Sequence, residues 1–118
     1  MITLRTLVLS TAQQVFDQVV AHLINQGERS ILDSCCVYNN REDLKCAAGC
    51  LIGDDEYDDL FEGNHWFELV NSGKVPAAHS GLIKSLQEIH DMSEPCEWVA
   101  KLKSFAAEQD LEFNHIIG

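Results

Sequence analysis

Residues 11–27 constrain the fold more tightly than any other stretch of the chain. Thr11 with Gln14 three residues on is a capping-box pattern, in which each side chain meets the other's backbone N–H. Val15, Phe16, Val19, Val20, Leu23 and Ile24 then recur at helical spacing, with Gln13, Gln14, Asp17, Gln18 and Asn25 on the other face. Gly27 offers the left-handed stop. The pattern predicts a helix that directs Phe16, Val20 and Leu23 into a core.

Three further helices follow the same logic. Asn64 is placed to cap a segment containing Trp66, Phe67, Leu69 and Val70, with Gly73 as its end. Pro76 opens the next, where Leu82, Ile83, Leu86 and Ile89 form an apolar stripe opposite Lys84, Ser85, Gln87 and Glu88. Ser93-Glu94-Pro95 starts the last, whose buried face is Trp98, Val99, Leu102, Phe105 and Ala106. Between the first two helices, Cys35-Cys36-Val37-Tyr38 suits a pleated surface and Asn39–Asp43 is turn chemistry. Leu44–Ala47 then reads as the returning strand of a hairpin. A lone hairpin is marginal, so it must lie on the helices. Ala48–Ile52 either continues that strand or forms a tight helical turn, its small residues implying close backbone approach. Asp54 or Asp55 is expected to cap a short turn that holds Tyr57 and Leu60 inward, and Leu111-Glu112-Phe113 alternates like a short strand. The expected fold is α+β: a helix-rich single domain, residues 1–118, with four to five helices and one small antiparallel hairpin.

The chain of 118 residues is long enough to bury a core without staples. No apolar run approaches the length of a membrane helix. Residues 1–12 carry a short apolar pattern, but Arg5 interrupts it and amphipathic helix follows at once. It is read as part of the fold, which places the protein in the cytoplasm where it is made. The five cysteines, Cys35, Cys36, Cys46, Cys50 and Cys96, are an odd number and fit reduced thiols.

Charge is the strongest compositional signal. The net charge is −11, and residues 42–68 carry nine acids against one base, Lys45. This argues against direct binding to a phosphate backbone, which needs clustered Lys and Arg. It fits a basic partner, such as a nucleic-acid-binding protein. The candidate contact residues are Asp54, Asp55, Glu56, Asp58, Asp59 and Glu62. As a calcium loop the run fails: counted from Asp54, the sixth position is Asp59 instead of Gly and the twelfth is His65 instead of Glu. Adjacent acids are more often a solvated face than a binding site.

The alternative seat of chemistry is Cys46 and Cys50, with Cys35 or Cys36 as a third ligand. Zinc usually takes two short-spaced pairs, and no second C-x3-C exists, so packing is the plainer role. A catalytic thiol would need a nearby cation, and acidic surroundings oppose that. The five histidines are scattered and read as ordinary. With no glycine-rich phosphate motif either, no cofactor is expected. Homo-oligomerisation through Trp66-Phe67 or Ile116-Ile117 is a further possibility for the partner.

Residues 11–23, the run Lys45-Cys46-Ala47-Ala48-Gly49-Cys50-Leu51-Ile52-Gly53-Asp54-Asp55-Glu56-Tyr57, Glu62-Gly63 and a tryptophan near the C-terminal helix together resemble a family of small proteins of tailed phages and prophages. Lys45–Tyr57 is the most specific part. The resemblance implies a setting, a bacterial cell hosting a phage or mobile element, and no catalytic or binding residues. With the charge, it leads to the expectation of an interaction protein that occupies a basic surface of a host protein.

Overall fold

The Thr11 box closes as expected: the Thr11 hydroxyl accepts the Gln14 N–H at 3.1 Å, and the Gln14 amide accepts the Thr11 N–H at 2.9 Å. Helix α1 (Ala12–Gln26) follows, ending on Gly27 at φ 69°. Its stripe of Val15, Phe16, Val19, Val20 and Leu23 is fully buried. The computed structural model describes residues 1–32, 35–40, 42 and 44–115. Among these lie three more helices, α2 (Trp66–Asn71), α3 (Ser80–Met92) and α4 (Trp98–Glu108), and a two-stranded antiparallel sheet, β1 (Ile31–Leu32) and β2 (Cys35–Cys36). The α+β class is thus the observed one. No helix among the described residues is long and apolar enough to cross a membrane.

Helix α1 packs against both α3 and α4, and α3 also receives α2. Ile83 and Leu86 of α3 and Trp98, Leu102 and Ala106 of α4 are buried there. The N-terminal segment belongs to this assembly. Leu7 is fully buried, and the Ile2 N–H and C=O both bond the Gln18 amide of α1.

Several local expectations shift. The hairpin pairs Ile31 with Cys36 and Leu32 with Cys35, earlier in the chain than Cys35–Tyr38 with Leu44–Ala47. The expected pairing survives as one bridge, Asn39 to Lys45, with the Asn40 side chain organising the turn by accepting the Glu42 and Leu44 N–H groups. The ladder cannot extend, because the Tyr38 and Asn39 N–H groups are taken by the Glu62 carboxylate. Of the two alternatives for residues 48–52, the tight helical turn is the one formed, as a 3-10 turn over residues 49–51. The next turn, residues 59–61, is capped by Asp58 instead of Asp54 or Asp55. It buries Phe61 and leaves Leu60 outside. His65 replaces Asn64 at the start of α2, where its N–H is met by Glu68 at 2.9 Å. Leu111–Phe113 is no strand: Glu112 bonds the Gln13 side chain through its N–H and C=O. Of the apolar pairs considered for self-association, Trp66 is buried, and Ile116-Ile117 lies outside the described residues.

Candidate functional site

The acidic run divides by direction. Gly53 lets the chain fold back closely; a Cβ there would sit 3.1 Å from the Glu56 Oε1. The Glu56 carboxylate then accepts three backbone N–H groups: Gly53 at 2.8 Å, Leu4 at 2.9 Å and Arg5 at 3.1 Å. Its side chain is only 7% exposed. Glu62 closes the other end. Besides the Tyr38 and Asn39 N–H groups, at 2.9 and 3.2 Å, it accepts the Tyr57 hydroxyl at 2.6 Å. A buried carboxylate is tolerable because it is met this fully. Both glutamates tie the loop to segments remote in sequence.

The aspartates point outward. Asp54 Oδ1 is 2.9 Å from Lys45 Nζ, with its side chain 91% exposed. Asp55 pairs with Arg5 at 2.8 Å, and that hydrogen bond holds its carboxyl below the usual carboxylate range. Asp58 caps the 59–61 turn through the Leu60 N–H at 2.8 Å, yet it and Asp59 lie at the surface. Of the six expected contact residues, the structure therefore presents four to solvent and turns Glu56 and Glu62 into the frame behind them.

The thiol half lies directly before. Cys46 is buried, and its Sγ accepts the Gly49 N–H at 3.3 Å; the Cys50 S–H donates to the Ala47 carbonyl at 3.1 Å. Burial raises both thiols, Cys46 well above its ordinary value and Cys50 up to about 12. Neither is prepared as a nucleophile at neutral pH. Gly49 explains the small residues: a Cβ would fall 2.0 Å from the Tyr38 carbonyl oxygen.

Cys35 and Cys36 sit exposed on β2 and do not join Cys46 and Cys50 in a ligand set. The group of three candidate ligands within 4.8 Å of one another among the described residues is Cys36, His90 and Asp91. Its wiring argues against a metal. The Ser30 N–H can only donate, and it meets His90 Nε2 at 3.0 Å. Nε2 must then carry the lone pair and Nδ1 the proton, which is donated to Asp91 Oδ1 at 2.7 Å. A metal on Nδ1 would require an imidazolate or the loss of the Ser30 bond. Burial, and then the neighbouring Asp91, also raise the Cys36 thiol. His90 is fully buried and stacks on Trp98 at 5.5 Å. It is a satisfied core histidine, and its place in the stripe Ile83–Leu86–His90 was the sequence signal for it.

A groove of about 460 Å³ stands beside α3, between residues 36–38, residues 62–67 and the outer face of α3. Sequence reading missed it, because its walls come from three separate segments. No protein-family model matches the chain, and neither a curated protein nor a solved structure is significantly similar to it.

Proposed function

We propose that the chain is a small non-enzymatic interaction protein of a phage or mobile element, acting in the cytoplasm of a bacterial host on a host protein with a basic surface. The carrying observation is the loop of residues 53–62. Four aspartates stand exposed on a segment that Glu56 and Glu62 anchor at both ends. An acidic array held in place loses little conformational entropy on docking. Complementary charge speeds encounter, and an array of carboxylates imitates the phosphates that a nucleic-acid-binding partner takes. The pairs Asp54–Lys45 and Asp55–Arg5 do not block this, since exposed ion pairs are weak and exchange readily for a partner's cation.

Affinity capture from host lysate at low and high salt tests the reading. The expected result is a partner retained at low salt, released at high salt, and lost when Asp54, Asp55, Asp58 and Asp59 are changed together to Asn. Capture that ignores both salt and the four substitutions overturns the electrostatic mechanism. The thiol alternative gains no comparable support, because burial raises both Cys46 and Cys50. One zinc per purified chain, lost on Cys46→Ser, would reinstate it.

A further inference from the structure

Exposed apolar side chains gather at the groove beside α3: Phe67 is 54% and Met92 82% exposed. Its charged groups are unbalanced, with Glu62, Glu88 and Asp91 against Lys84. Lys84 does not neutralise the face. It stands 4.0 Å from Glu88, and both side chains are about two-thirds exposed, so the pair is weak and exchangeable. Trp66 forms part of the wall, and its buried indole N–H has no acceptor among the described residues. A negative rim over apolar and aromatic surface suits one kind of side chain, a long aliphatic stem with a cationic head.

We infer that this groove anchors a basic–apolar segment of the partner, an arginine or lysine whose stem crosses Met92 and Phe67 and whose head meets Glu88 and Asp91. The inference rests on the reading of the chain as the binder of a basic protein, and gives that reading its anchor. The exposed Phe67 ring adds cation–π attraction. Glu62 links the two surfaces, since it closes the acidic loop and also lines the groove. The loop then steers the encounter, and the groove supplies the desolvated contact that slows release.

The test uses the full chain and three capped pentapeptides, each with a central residue flanked by leucines: arginine, its uncharged isostere citrulline, or glutamate. Backbone amide shifts are followed by NMR. The arginine peptide is expected to give saturable shifts centred on residues 36–38, 65–67 and 88–92. The citrulline peptide should bind at least tenfold more weakly and the glutamate peptide not at all. Glu88→Lys and Phe67→Ala alter exposed side chains, so the fold is retained, as unchanged shifts elsewhere will verify. Each should weaken the arginine peptide tenfold or more. Equal binding of arginine and citrulline, shifts centred on residues 54–59, or insensitivity to both variants overturns the groove assignment. Failure of the broader reading looks different: no salt-sensitive partner is captured, whatever the peptides do. Capture that is lost with the four aspartates but indifferent to Glu88→Lys and Phe67→Ala keeps that reading and removes the groove.

Discussion

Six carboxylates fall within residues 54–62, and they do two opposite jobs. Glu56 and Glu62 reach inward on longer side chains and collect three donors each, while the aspartates, one methylene shorter, stay at the surface. Composition treats these residues alike. What separates them is whether unpaired backbone N–H groups lie within reach. A donor shut off from water needs an acceptor, and at the part-buried N–H groups of Leu4, Tyr38 and Asn39 the acceptor is a glutamate. Charge is thus structural in one set and exposed to solvent in the other.

The sharpest way to break the comparison is at Tyr38, whose backbone is held from both sides, by Glu62 at its N–H and by close contact with Gly49 at its carbonyl. Gly49→Ala drives a methyl group into that carbonyl and is expected to cost about 4 kcal/mol in chemical denaturation, at the upper end for single substitutions. Glu62→Ala removes the acceptor that two N–H groups and the Tyr57 hydroxyl share, for an expected loss of about 3 kcal/mol. Glu56→Ala should lose about 2 kcal/mol, with the N-terminal segment released first in hydrogen exchange. Near-neutral results at both glutamates would erase the division between frame and surface.

What could be read from the sequence follows the same line between local and remote causes. Helix α1 was legible to the residue because its cap, stripe and stop all lie within residues 11–27. The hairpin register was not, because the residue that stops the ladder at Tyr38 is Glu62, 24 positions away. Leu60 was expected inside, but the turn is capped by Asp58 instead of Asp54 or Asp55, and that later start puts its neighbour Phe61 inside. The acidic run was visible as a run. Its division into inward and outward members was not, because nothing local to Glu56 announces the Leu4 and Arg5 N–H groups. The groove had no signal in the chain at all.

The thiol half gives a test of intermediate size. Cys46 and Cys50 have raised values in the folded chain against an ordinary 9.0 when unfolded. The unfolded chain therefore releases protons first as pH rises. Their stabilisation is complete below pH 9 and declines above it, by about 1.4 kcal/mol per pH unit for each thiol. Cys50→Ser should reduce the slope of stability against pH between 9 and 11 accordingly. In the folded protein Cys35, Cys36 and Cys96 should react with a thiol reagent, while the buried Cys46 waits for unfolding. Rapid labelling of Cys46 would return the thiols to the list of reactive groups.

The smallest expected effect is at the exposed aspartates, and it decides whether their charge serves the fold. Arg5 lowers the Asp55 carboxyl through their hydrogen bond, so any stabilisation is present above its ordinary 3.8 and lost as pH falls below it. Yet both partners lie in solvent, where salt screens the pair and side-chain entropy opposes it. Asp55→Asn should therefore leave the unfolding midpoint unchanged at neutral pH, and Asp54→Asn likewise. By contrast, burial lowers His22 from 6.5, so acidification charges the unfolded chain first and erodes stability from about pH 6.5 downward, in the wild type and the aspartate variants alike. A variant set that matches the wild type on that acid limb, and differs from it only in partner binding, would assign the outward carboxylates to recognition and leave stability to the two glutamates behind them.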